Sequence, residues 1–278
     1  LEDAAVPYFY IHQDAPLSLL SAVFSSAGRW NPKYHRTSGW SNRKRRRIWV
    51  TALAIVLLLH YIDYMNESAL ILVDIQNDFC PGGTLAVPGG DSIVPTLNGI
   101  LEKPDRGGFL KVAATADWHP EGHVSFASSH EGKEPFETVE MEGLEQHLWP
   151  EHCIAGTVGA ALHPDLAADA VDIIIRKGRQ RGLDSYSAFF ENDGLTRTGL
   201  NGFLSDFGIR RVYLAGLALD WCVYYTAKDS RRLGFETVIL EDLSLPVDQP
   251  AGFAAERVAE LKERGVLFLN SASLPEHP

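Results

Sequence analysis

Ala69-Leu-Ile-Leu-Val-Asp74 decides the fold class: five aliphatic residues without a polar break, ending on a carboxylate. A strand that is apolar on both faces belongs inside a parallel sheet covered by helices, because an antiparallel sheet with one wet face alternates instead. Three further runs repeat the pattern. Residues 111–116 deliver Asp117 and His119, residues 172–176 deliver Lys177, and residues 211–214 lead through Gly216 to Cys222. Two more strands are predicted at 237–240 and 266–269, giving six. Helices are predicted over 92–102, 198–207, 222–233 and 250–264, with Gly208, Gly234 and Gly265 just past three of them, where a left-handed residue ends a helix. Alternating strands and helices give an α/β domain of three layers, α/β/α, around a six-stranded, mostly parallel sheet. Ligands of such sheets bind beyond the carboxyl ends of the strands. An acid, a lysine, a thiol and a metal-type pair then share one edge, which favours an enzyme over a binding module.

Charge divides the 278-residue chain. Residues 1–65 hold 8 Lys+Arg against 4 Asp+Glu, whereas residues 66–278 hold 17 against 32, a net of −15. An acidic body repels phosphate backbones and argues against nucleic-acid partners. Three cysteines, Cys80, Cys153 and Cys222, are too few and irregular for a disulfide framework, so a reducing, cytoplasmic setting is expected.

Residues 1–65 are expected to be an extension apart from a single domain at 66–278. Arg43-Lys-Arg-Arg-Arg47 followed by an apolar stretch at 48–59 resembles a signal or membrane anchor. The stretch is shorter than the ~20 residues needed to span a bilayer, and it lies far from the first residue. The expectation is therefore a non-native or dispensable extension, with Met65 as a plausible natural start and no membrane role for the catalytic domain.

Cys222 follows a strand and a glycine-containing bend, where a helix is predicted to begin. A helix N-terminus lowers a thiol's pKa and its N–H groups can hold an oxyanion. Free cysteines are also commonly inert packing, so the position alone leaves both readings open. Lys177 and Asp74 at the same edge supply the cation and proton acceptor that a nucleophilic thiol needs, although either alone reads as a solvated or capping residue. Asp117 and His119 stand two apart and so face one side of an extended segment. With His123 and His152 downstream they offer ligands for Zn²⁺, Fe²⁺ or Mn²⁺, or are ordinary loop residues beside prolines.

Taken together, Leu72-Val-Asp-Ile-Gln-Asn-Asp-Phe-Cys-Pro-Gly-Gly83, Asp117-Trp-His-Pro120, Trp149-Pro-Glu-His-Cys153, Lys177-Gly178, Asp184-Ser-Tyr-Ser-Ala-Phe-Phe190 and Gly216-Leu-Ala-Leu-Asp-Trp-Cys-Val223 resemble the nicotinamidases of the isochorismatase-like cysteine hydrolase superfamily. The resemblance runs from Ala69 to the C-terminal end. It implies hydrolysis of nicotinamide to nicotinate and ammonia through a cysteine thioester, within NAD salvage. It further implies a triad of Asp74, Lys177 and Cys222, and one divalent metal, zinc with iron or manganese as alternatives, on Asp117, His119 and His152. His123 is a fourth ligand or a residue behind the ligands. Phe79, Trp149 and Tyr186 would line the ring pocket. A cis peptide before Ala218 would present the Ala218 and Cys222 amides as an oxyanion hole.

Leu219 and Trp221 depart from that pattern, in which Thr and then Tyr or His are usual, and bear on substrate preference. Competing readings are a related hydrolase of another small amide or a vinyl ether, and a non-catalytic α/β binding domain. The metal-type segments weigh against the first, and the retained acid, lysine and thiol against the second. A homo-oligomer is compatible with the sequence.

Overall fold

The computed structural model describes residues 67–141, 143–249 and 251–274. The extension expected at 1–65 lies outside the described residues. Among the described residues there are eight strands: β1 (Ser68–Val73), β2 (Lys111–Asp117), β3 (Thr138–Met141), β4 (Leu144–His147), β5 (Ile173–Lys177), β6 (Arg211–Leu217), β7 (Glu236–Leu245) and β8 (Leu267–Leu269). The α-helices are α1 (Val94–Leu101), α2 (Leu200–Asp206), α3 (Tyr224–Arg232) and α4 (Phe253–Glu263).

Six strands form one sheet in the order β5-β2-β1-β6-β7-β8, and every pairing in it is parallel. The chain steps outward from β1 to β2 to β5, then returns to lay β6 on the other flank of β1. Right-handed crossovers place the connecting helices of the two halves on opposite faces. The reversal between β1 and β6 is a topological switch point, where the crevice of an open α/β sheet opens. Asp74 follows β1 and the 218–222 turn follows β6, so both reach into that crevice. Every residue of β1 and β6 is buried, which is why these two runs read so clearly as strands.

At the switch point the two backbones nearly touch. Gly216 has φ +134°, and a Cβ there would lie 2.0 Å from the Val73 carbonyl oxygen. Only glycine fits, and here the β6–β7 register also shifts. Gly216→Ala is therefore expected to destabilise the protein by ~3 kcal/mol or more, or to prevent folding, since backbone cannot yield as a side chain can. Thermal unfolding checks this.

Three expectations need correction. The helix predicted from Cys222 begins at Tyr224; Cys222 itself lies in a π-helical turn, Leu219–Val223. The Val223 N–H reaches back five residues to the Ala218 carbonyl, 3.1 Å away. This wider turn buries Asp220, Trp221, Cys222 and Val223 in succession, a pattern that a 3.6-residue repeat does not produce, and such turns often mark functional sites. Second, β5 includes Lys177 and β6 and β7 extend to Leu217 and Leu245, further than the apolar runs suggested. Third, two strands beyond the six predicted are found among the described residues, the antiparallel β3–β4 hairpin in the connection between β2 and β5. Among the described residues, no helix is long and apolar enough to cross a membrane.

Candidate active site

Lys177 stands at the centre of the switch-point crevice and is fully buried. Its Nζ lies 2.8 Å from Asp74 Oδ2, pairs closely with Asp117 Oδ1, and donates to the Ser185 carbonyl at 3.0 Å and to Cys222 Sγ at 3.5 Å. The Asp74 carboxylate and the Cys222 sulfur approach to within 4.8 Å. Asp74 Oδ1 accepts a hydrogen bond of 2.6 Å from Thr115 Oγ1, whose oxygen accepts from the Asp74 N–H at 3.1 Å. That exchange fixes the carboxylate with Oδ2 toward lysine.

Electrostatics in this dry site follow from who is neighbour to whom. Burial pushes the Cys222 thiol well above its ordinary value and Lys177 only partly opposes this. Burial likewise raises the Asp74 carboxyl against the pull of Lys177. Burial would lower the Lys177 ammonium, but Asp117 and Asp74 outweigh it and hold it well above the usual lysine value. The resting arrangement is thus a protonated thiol beside the acid–base group Asp74 and a fixed cation.

A second cluster shares Asp117. His119 Nε2 and His152 Nε2 lie 3.7 and 3.8 Å from Asp117 Oδ2. Their Nδ1 atoms face the Gly178 carbonyl at 3.0 Å and the Pro150 carbonyl at 2.8 Å. A carbonyl can only accept, so each Nδ1 carries a hydrogen, which leaves Nε2, the nitrogen facing Asp117, as the one that would ligate a metal. Burial, followed by His119, lowers His152 to about 4. Asp117, His119 and His152 are all buried and bring one carboxylate oxygen and two imidazole nitrogens within 4.8 Å of one another, an O,N,N set of the kind zinc takes. The donor set therefore fits a divalent ion. Gly178 is needed beside it, since a Cβ there would lie 2.4 Å from the His119 ring.

His123 occupies a different place. Its Nε2 faces the Leu183 carbonyl at 3.2 Å and its Nδ1 the Ser125 hydroxyl at 2.7 Å. With both nitrogens engaged, it stacks on His119 at 4.1 Å, and one of its nitrogens lies within 4.8 Å of ligand atoms of His119 and Asp184.

The pocket above Cys222 is lined by Phe79, Trp149, Tyr186, Ala218 and Trp221, with Leu85 and Val247 closing the sides. Trp149 and Trp221 meet edge to face at 4.7 Å, and Trp149 Nε1 donates to the Tyr186 hydroxyl at 3.1 Å. Such walls suit a flat aromatic ring. The peptide between Leu217 and Ala218 is cis.

Sequence reasoning singled out neither Thr115 nor Gln76 for a role. Gln76 donates to the Asp117 and Ala160 carbonyls and accepts from the Asp117 N–H, each at 2.8 Å, tying β1 to the metal-type aspartate. Asp74 has φ +48° and the Gln76 N–H closes on the Asp74 carbonyl at 2.9 Å, so a turn, which the strand pattern does not reveal, aims Gln76 at β2.

Residues 68–261 match the Isochorismatase domain family. The chain belongs to the isochorismatase family. As a member it is 46% identical over 209 residues to the nicotinamidase of Acinetobacter baylyi, covering 75% of this chain and 95% of that one. Its fold is that of other isochorismatase-family structures. A protein from L. infantum solved in complex with nicotinate superposes with a TM-score of 0.66 at 40% identity, covering 77% of this chain and 97% of the other. The pyrazinamidase of Pyrococcus horikoshii, solved in complex with zinc, gives 0.59 at 36% identity over 73% and 99% of the two chains.

Proposed function

We propose that this isochorismatase-family protein is a nicotinamidase, hydrolysing nicotinamide to nicotinate and ammonia. The observation that carries the reading is one buried lysine holding the base Asp74, the sulfur of Cys222 and the metal-type Asp117 together beneath an aromatic-walled pocket. The nicotinamidase relative and the nicotinate-bound neighbour supply the substrate.

In the first half-reaction Asp74 takes the proton from Cys222 Sγ while Lys177 steadies the thiolate, and sulfur bonds to the carboxamide carbon. The Ala218 and Cys222 amides face the oxygen that becomes negative. Asp74 returns the proton to nitrogen, the C–N bond breaks, and ammonia leaves a thioester. In the second half-reaction Asp74 takes a proton from water, whose oxygen attacks the thioester carbon; the C–S bond breaks and Cys222 recovers the proton. Phe79, Trp149 and Tyr186 hold the ring. A divalent ion on Asp117, His119 and His152, zinc in the first instance, would supply a Lewis-acid anchor for the ring nitrogen.

Removing the metal tests the assignment. A chelator is expected to lower ammonia release at least ~100-fold and to extract about one divalent ion per chain, with activity restored when zinc, iron or manganese is returned. Full activity in a chelated, metal-free protein would remove the metal from the reaction. Release of ammonia from a different amide, with none from nicotinamide, would move the substrate within the family.

A further inference from the structure

Asp220 adjoins the nucleophile but faces away from the chemistry, and nothing in the proposed reaction uses it. It is fully buried. Its Oδ1 accepts the Val247 N–H at 3.0 Å and its Oδ2 the Asp248 N–H at 2.8 Å. Both oxygens thus serve two consecutive amides of the segment that follows β7. Val247 is itself a wall of the pocket that Cys222 lines. The segment is tied down again one step on. Asp248, at φ +54°, accepts the Gly252 and Ala254 N–H groups at 3.0 and 3.1 Å and so fixes the start of α4. The Trp221 ring packs on Phe253, the first residue of α4, at 5.4 Å. Asp220 and Trp221 therefore hold Val247, Asp248 and Phe253 from within the turn that carries Cys222.

We infer that Asp220 is a positioning residue for substrate fit: it locks the Val247 wall against the nucleophile turn, setting the width of the pocket and so which ring substituents it admits. A buried carboxylate is retained only where its oxygens are satisfied. Here the two donors come from a non-helical loop with a pocket residue on it, so its loss loosens the wall before it disturbs the triad. Nothing in the Asp74, Lys177 and Cys222 contacts passes through Asp220. This inference rests on the nicotinamidase reading for its choice of substrate, but not for the latch itself.

Asp220→Asn keeps one acceptor and turns an N–H donor toward the second amide. It is expected to raise KM for nicotinamide ~10-fold with kcat within ~3-fold, the size of one lost bond to a charged acceptor. Hydrogen exchange at the Val247 and Asp248 amides should quicken by a similar factor. Val247→Ala leaves the latch intact and removes the wall. It should raise KM for nicotinamide without quickening that exchange, and should shift kcat/KM toward nicotinamides bearing a ring substituent. A merely structural Asp220 would lower the active fraction, and with it kcat, leaving KM and substituent preference unmoved. That result, or unchanged KM and preference in Val247→Ala, would overturn the inference. If the wild-type protein released no ammonia from nicotinamide, the functional reading would fail. Exchange at Val247 and Asp248 in Asp220→Asn, or the melting temperature of Val247→Ala beside it, would still decide the latch.

Discussion

Cys222→Ala is expected to reduce nicotinamide turnover by at least ~10⁴-fold while nicotinamide still binds, because the sulfur is the one protein atom that forms a bond to the substrate carbon. The side chain lies at the pocket floor with Lys177 Nζ at 3.5 Å, and truncation to alanine leaves the ring walls in place. Rapid quench of the wild-type protein followed by mass spectrometry should reveal a nicotinoyl adduct on the peptide containing Cys222, and the variant should show none. Turnover that survived the substitution, or an adduct on Cys80 or Cys153, would sink the thioester route. Those two thiols are poor rivals. Cys222 lines the pocket with the Lys177 ammonium beside its sulfur, whereas neither Cys80 nor Cys153 is among the pocket-lining residues.

The second large effect is on Lys177. Lys177→Met keeps most of the volume but removes the one cation between Asp74 and Asp117. Breaking a buried pair from one side leaves uncompensated charge, so a loss of ~3–5 kcal/mol of stability is expected at neutral pH. Turnover should fall ~10³-fold or more as the thiolate loses its partner. The sign of the pH effect follows. Without the lysine, burial and mutual repulsion raise both carboxyls, so their penalty is present above the raised folded values and is relieved as pH falls through them. The melting temperature of the variant, relative to wild type, should therefore recover as pH falls from neutral. A gap that widened on acidification would show that another group sets the charge balance of the site.

Much of this was legible in the sequence because buried parallel strands advertise themselves. The aliphatic runs before Asp74 and Asp117, and the one leading toward Gly216, needed no tertiary information, and the glycines at 208, 234 and 265 adopt φ of +69°, +92° and +78° where helix ends were expected. The sheet order was not legible. Which strands flank β1 depends on contacts far apart in sequence, and the switch point that gathers the site appears only with the order in hand. The turn at Cys222 was misread because a π-helical turn that runs straight into α3 at Tyr224 follows the same strand and glycine-containing bend that an ordinary helix start would. The β3–β4 hairpin was missed because its strands are short and largely exposed, as at Thr138 and Glu140. Asp117 was read as a metal-type residue, but its second contact, to Lys177, was not. That bridge depends on β2 and β5 being neighbours, with Asp117 opposite Lys177 in register.

The most direct test of the functional reading is to incubate the full, zinc-loaded chain with nicotinamide and to quantify ammonia and nicotinate together over time. A metal-dependent nicotinamidase releases the two in equal amounts from the wild-type protein, and neither from Cys222→Ala. A folded, metal-loaded wild-type protein that released neither would contradict it.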